Sequence, residues 1–465
     1  MKKALFSFSA VFLSFLLFIT CNPRNTASRS ASNQRYIVDL EGYEFVVAGE
    51  HKAMWTPQQG RSDHEDAMFA RIKYVEENYN CKIRFETLGP FDAYERILVN
   101  VMSGDKPCDV LMSTIWSMGA FIANNLLEPL NRFSAINLDN QYWEPAITEL
   151  GAFRGDQYLC APTFFHTFLT TQAYFYNYDM IKGLGLQDPH ELFLAGDWTI
   201  GKLYDLAVAA TLDMDGSSVM DINSRYGISA ADTFGDYITG QFQASGLTFI
   251  SEDADGRMLL SMGSERAFNV IRDIKRLFTA GVFVPQRSND TQYVWLNQFT
   301  DGRALFFVGN LSVYDYLSRN CDFEYRILPP PKWDFSDKYY TPINHNAQVM
   351  SLIINNPDRE KAVIILEALA KQGEREVEIN LNEHYTVKGQ IPDAVSYQYI
   401  KDISQKYLIA DKASIMGGAY YSNVNIGTRG LLTEAVRFDT DISTLYERSG
   451  SRTQSLIDDF WNTRK

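Results

Sequence analysis

KIRFETLGPFDAYERILVNVMSGDKPCDVLMS, residues 82–113, carries two different apolar periods in one short run. KIRFET alternates, turning Ile83 and Phe85 to one side, which is the period of a strand. From Asp92 the spacing lengthens. Tyr94, Ile97, Leu98, Val101 and Met102 share one helical face, and Gly104 ends it. DVLMS, ending at Ser113, then reads as a buried strand. Upstream the same order appears once more. YEFVVAG, residues 43–49, is a short strand, and DHEDAMFARIKYVEENY places Met68, Ile72, Val75 and Tyr79 at helical spacing. The sum is β-α-β-α-β, the pattern of an open, largely parallel sheet covered by helices. Ligands of such sheets bind in the loops after the strand carboxyl ends. Here those loops begin near Gly49, Leu88 and Ser113.

Farther along, SERAFNVIRDIKRLFTAG offers Ser264 as a helix cap and Ala267, Val270, Ile271, Ile274, Leu277 and Phe278 as its buried stripe, with Gly281 as the stop. A second capped helix runs from Asp358 to Gly373, and RALFFVG and QVMSLII read as buried strands. GDWTIGKLYDLA, residues 196–207, has a phosphate-loop spacing, but Leu203 stands where a Mg²⁺-ligating hydroxyl is required. A helix capped by Thr199, burying Leu203, Leu206 and Ala210, accounts for it better.

The amino terminus has Lys2 and Lys3 followed by 16 apolar or small residues, Ala4–Ile19. That is short for a membrane span and has the form of an export signal, residues 1–20. FITC resembles a bacterial lipoprotein box, which would make Cys21 the lipid-attached residue. Residues 21–35 contain no large apolar side chain and read as a flexible tether with a reach of about 20 Å. The 430 residues from 36 to 465 exceed one hydrophobic core, so two lobes are expected. A formal charge of −14 disfavours nucleic acid as a partner. The 26 Tyr and 7 Trp suit a cleft with apolar faces and polar rims. Cys81, Cys108, Cys160 and Cys321 show no zinc spacing, and their redox state stays open.

Several phrases, in order, resemble one family. These are MSGDKPCDVLMSTIWSMGAFIANNLLEPLN, LCAPTFFHTFLTTQAYFYNYDMIKGLGLQDP, DWTIGKLYDLA, FTDGRALFFVGN and YRILPPPK. Together they are similar to the extracellular solute-binding proteins of ABC transporters, in the sugar-binding family 1 branch. The resemblance implies an α/β fold of two Rossmann-like lobes joined by hinge strands, periplasmic-binding-protein-like and of type II. It places hinge crossings near 163–172 and 341–348. One lobe is then 36–166 plus 347–395, and the other is 167–340 plus 396–465. It implies an extracytoplasmic, lipid-anchored monomer that binds a carbohydrate of oligosaccharide length and hands it to permease subunits, with no cofactor and no metal. The sequence departs from the family after FFVGN, where many sugar binders have Trp near Asn310 or Leu311; here no aromatic occurs before Tyr314.

Sugar sites combine aromatic faces with amide, carboxylate and imidazole edges. Trp55 and Trp116 stand in loops after the first and third strands. Phe165 and His166 lie in the first crossing, and Asn310, His345 and Asn346 near the cleft mouth by the same carry-over. Asp232 and Tyr421 complete the candidate ligand set, while Trp198 is assigned to structure. No catalytic motif is present, so a binding protein and not an enzyme is expected. A secreted carbohydrate hydrolase is the alternative, because two suitably spaced carboxylates need no sequence motif.

Overall fold

The computed structural model describes residues 36–88, 93–230, 236–285, 293–417, 428–438 and 440–462. Two sheets organise them. The first uses β1 (Tyr43–Gly49), β2 (Cys81–Thr87), β3 (Val110–Thr114) and β4 (Leu127–Glu128). The second uses β5 (Gln172–Asn177), β6 (Tyr226–Ala230), β7 (Ala304–Asn310) and β8 (Tyr325–Leu328). The chain then returns to the first sheet as β9 (Gln348–Ile353). The orders are β2-β1-β3-β9-β4 and β8-β5-β7-β6. β1 pairs in parallel with β2 and β3, as the opening stretch dictates, while β9 lies antiparallel to β3 and β4. The second sheet is mixed. β7 is parallel to β6 and antiparallel to β5.

The local signals act as their chemistry requires. Ser62 accepts from the Glu65 amide to start helix Asp63–Tyr79, and Asn80 ends it in the left-handed region at φ 47°. Thr199 and Ser264 cap helices Ile200–Ala210 and Glu265–Thr279 in the same way. Trp198 is fully buried, its indole donating to the Pro329 carbonyl at 2.9 Å. Met102 breaks the expected helix face: it is 78% exposed at the last residue of helix Ala93–Met102. Ser264→Ala is expected to cost about 1 kcal/mol through loss of the cap, read as a lower urea midpoint at unchanged slope. Cys81, Cys108, Cys160 and Cys321 are free thiols.

The chain passes between the sheets more than once. The first passage pairs Cys160 with Met350 and Thr171 with Ile343, so it lies against the return passage into β9. A further passage follows helix Arg359–Gln372. Glu376 bonds Arg71 of helix Asp63–Tyr79, whereas Leu381, Ile391 and Tyr399 pack in the core beneath the second sheet. The carboxyl-terminal helix Ile442–Asn462 reaches back to the first lobe, where Trp461 meets the Phe153 ring at 4.4 Å. At Gly119 a Cβ would lie 2.0 Å from the Ile415 carbonyl oxygen, so only glycine allows helix Ile115–Ala123 and the turn Lys412–Met416 to approach this closely.

Candidate functional site

A cavity of about 450 Å³ opens at the edge of the second sheet, where the return passage toward β9 crosses it. Its floor is the carboxyl end of β7, Phe307–Asn310, with Gln172 at the start of β5 beside it. One wall is helix Asp236–Ala244, contributing Thr239, Gly240 and Gln243. The other is the return passage Pro342–Asn346. This is the crevice at strand carboxyl ends to which open α/β sheets direct their ligands.

Trp116, one residue into the helix after β3, approaches the same edge. Its amide donates to the His345 carbonyl at 3.0 Å, and the two rings lie 5.1 Å apart at 42°. Asn346 is held by the Asn344 side chain, which accepts from its amide at 2.9 Å. Asn310 pairs across the sheet with Gln172. Thus Trp116, Asn310, His345 and Asn346 come together from three separate stretches of chain.

Two buried polar atoms in this cavity have no hydrogen-bond partner among the described residues: Gln172 Oε1 and Thr239 Oγ1. Thr239 is 5% exposed and Gln243 4%. A buried polar atom left unmatched costs roughly 1–3 kcal/mol, so these two call for a partner that brings its own donors and acceptors. Among the described lining residues Asp236 is the single carboxylate, and there is no Lys or Arg. The site is therefore built from amides, the hydroxyls of Tyr237, Thr239 and Ser312, one carboxylate, an imidazole and aromatic carbon.

Other sequence candidates lie elsewhere. Trp55 is a core residue, 6% exposed. Its indole points at the Met112 sulfur at 3.4 Å and its ring stacks on Phe85 at 6.4 Å. The three-ten turn Lys52–Trp55 folds the loop back over β2, so the indole fills the first lobe and does not face the cavity. Phe165 is 7% exposed and packs edge-on against Phe164. His166, also buried, meets His64 at 4.9 Å, away from the cavity. Asp232 and Tyr421 lie outside the described residues. Tyr314, the first aromatic after FFVGN, is buried in the second core. Gln172, Thr239, Gln243 and Asn344 escaped sequence reasoning. Single amides and hydroxyls are common, and only the third dimension converges them.

The His64–His166 pair belongs to a buried polar seam with Arg71, Glu376 and Asn380. Arg71 bonds Glu376 at 2.8 Å and lies 3.6 Å over the Phe164 ring. Burial pushes His64 down to about 4 and His166 down to about 3. Both therefore stay neutral in the fold at pH values where the unfolded chain is already protonated. Their contribution to stability is complete above the ordinary histidine value near 6.5 and falls as pH drops through about 4. The urea midpoint is expected to decline from pH 7 to pH 5, with a flatter decline in His64→Gln.

The fold is a mixed α/β architecture of two sheets, with a polar cavity at the carboxyl end of β7. The family model for bacterial extracellular solute-binding proteins matches residues 62–370. The chain belongs to that family. Solved structures share the type II periplasmic-binding fold. One is the cyclic α-maltosyl-1,6-maltose binding protein from Arthrobacter globiformis. It is 13% identical, with 90% of this chain and 100% of that one covered, at a TM-score of 0.63. Another is an ABC substrate-binding protein from Listeria monocytogenes in complex with cycloalternan, 13% identical, covering 90% and 99%, TM-score 0.56. The GacH receptor of Streptomyces glaucescens, solved unliganded and with acarbose, is 13% identical over 91% and 100%, TM-score 0.55. A sequence comparison with curated proteins returned no significant match. The family is one of extracellular solute-binding proteins, and these neighbours are described as a receptor or as binding proteins. Among the described residues no helix is long and apolar enough to cross a membrane.

Proposed function

We propose that the chain is the substrate-binding lipoprotein of an ABC importer. It captures a carbohydrate of oligosaccharide length in the interlobe cavity and delivers it to the permease. The observation that carries this is the polar lining without Lys or Arg: unmatched Gln172 Oε1 and Thr239 Oγ1 sit in the same cavity whose edge holds the Trp116–His345 ring pair. A sugar offers what that lining lacks, hydroxyls that both donate and accept, and CH faces for the rings. The ligands named for the structural neighbours, cyclic maltosyl-maltose, cycloalternan and acarbose, are of this chemistry.

In this reading the lobes 36–166 plus 347–395 and 167–340 plus 396–465 close about crossings near 163–172 and 341–348. Cys21 carries the lipid, and residues 22–35 tether the body to the outer face of the membrane as a monomer. Trp116, Asn310, His345 and Asn346 contact the sugar, joined by Gln172 and Thr239. Asp232 stays in the proposed set as a sequence neighbour of helix Asp236–Ala244, and Tyr421 on the family resemblance alone. The chain performs no covalent chemistry. The rival hydrolase would place two carboxylates across the scissile bond. Among the described lining residues Asp236 is the one carboxylate.

Gly240 provides a local test. A Cβ there would lie 2.6 Å from Gln172 Oε1. Gly240→Ala should displace the amide and cost about 1.5 kcal/mol of ligand affinity, close to tenfold, measured by titration calorimetry. An unchanged affinity would remove Gln172 from the site.

A further inference from the structure

A second cavity of about 450 Å³ shares no lining residue with the cleft. Four stretches build it. Glu144 comes from the segment before helix Pro145–Gly151, and Thr163 and Thr167 come from the first passage. The segment Glu374–Leu381 and helix Ala394–Asp402 close it, the latter through Tyr397 and Lys401. The helix Ala394–Asp402 belongs to the second lobe, since Ser396 accepts from the Ile327 amide of β8 at 3.0 Å. Both lobes therefore wall this cavity.

Its inner wall is unusually polar for its burial. Thr167 is 3% exposed, and neither its hydroxyl nor that of Thr163 has a hydrogen-bond partner among the described residues. Glu144 is 5% exposed. Burial pushes its carboxyl up to about 8, so at neutral pH it is largely protonated and can donate. Three hydroxyl-type groups thus line the buried side of the cavity. The rim differs: it holds carboxylates at Glu374 and Glu378 and cations at Arg375 and Lys401, with Val377 and Leu381 between them. The size falls in the range of small-ligand pockets, roughly 300–1,000 Å³.

From this we infer that the cavity is a separate effector site for a small zwitterion of amino-acid type. Its ammonium is met by the rim carboxylates, its carboxylate by the rim cations, and its hydroxyl or amide side chain by Thr163, Thr167 and Glu144. A neutral polyol would satisfy the hydroxyls and gain no charge pairing with Arg375 or Glu378. A simple anion or cation would meet a like charge at the rim. Because the walls come from both lobes, occupancy is coupled to their relative position. It therefore couples to the affinity of the cleft, and the coupling is reciprocal.

The test is thermal unfolding of the full chain with 10 mM L-serine, L-glutamine or glycerol. The expected result is a midpoint rise of about 2 °C with at least one amino acid and none with glycerol. Thr167→Val and Glu144→Gln should each lose more than half of that rise. Glu378→Gln, an exposed change that leaves the core intact, should also reduce it. Trp116→Ala, which alters the cleft, should retain it in full. Failure of both amino acids to shift the midpoint overturns the proposal. So does an equal shift by glycerol, or a shift that survives the Thr167, Glu144 and Glu378 changes. Whether the cleft binds sugar is read separately, by titration of the chain with sugar in the absence of amino acid.

Discussion

Trp116→Ala is expected to weaken carbohydrate binding by about 2 kcal/mol, near thirtyfold, while leaving the unfolding free energy within about 0.5 kcal/mol of the parent. The indole is half-buried, held through its own amide to the His345 carbonyl at 3.0 Å and against the imidazole at 5.1 Å. Its removal takes away an apolar face and also the stop that orients His345. The backbone tie survives, because it uses the Trp116 amide and not the side chain. Affinity and stability should thus separate. Titration calorimetry reads the first and urea unfolding the second. A variant that loses stability and keeps affinity would make Trp116 a packing residue.

Arg71→Met is expected to show the opposite split, with a loss of about 3–5 kcal/mol in stability. Both partners of the Arg71–Glu376 pair are almost wholly buried, with side chains 0% and 3% exposed. Burial already holds the Glu376 carboxyl above the ordinary carboxylate range, up to about 7, and the Arg71 charge opposes that rise. Without the guanidinium, Glu376 would keep its desolvation and lose its compensation. Arg71 also donates to the Met54 carbonyl at 3.2 Å and covers the Phe164 ring, so one side chain ties a loop of the first lobe to the first passage and to helix Glu376–Asn382. The double change Arg71→Met with Glu376→Leu should recover most of the loss, since a buried pair replaced by apolar groups is often neutral. Equal loss in the single and double variants would show that the tie to Met54, not the charge pair, sets the stability.

Why the first lobe was legible and the cleft only half so follows from the physics. The strand and helix periods of residues 43–113 reflect burial on defined faces, and burial is written in apolar spacing. The capping residues Ser62, Thr199 and Ser264 act within three positions of themselves, so their effect is local and readable. A ligand site has no such period. Trp116 and His345 stand 229 positions apart (345 minus 116) and meet only because β9 returns beside β3. Trp55 shows the same limit from the other side. Its loop follows the first strand as Trp116 follows the third, but a three-ten turn carries the indole into the core. The buried seam of Arg71, Glu376, His64 and His166 was not legible as a unit, since Arg and Glu are ordinarily exposed and a lone His carries no spacing.

The most direct test of the central claim is titration calorimetry of the chain against maltotriose, maltotetraose and a cyclic tetrasaccharide, with product analysis of the same samples. The account predicts one-to-one binding of at least one of them, an intact sugar afterwards, and weakening by Trp116→Ala and Gly240→Ala. Cleavage of the sugar, or binding indifferent to both substitutions, would contradict it.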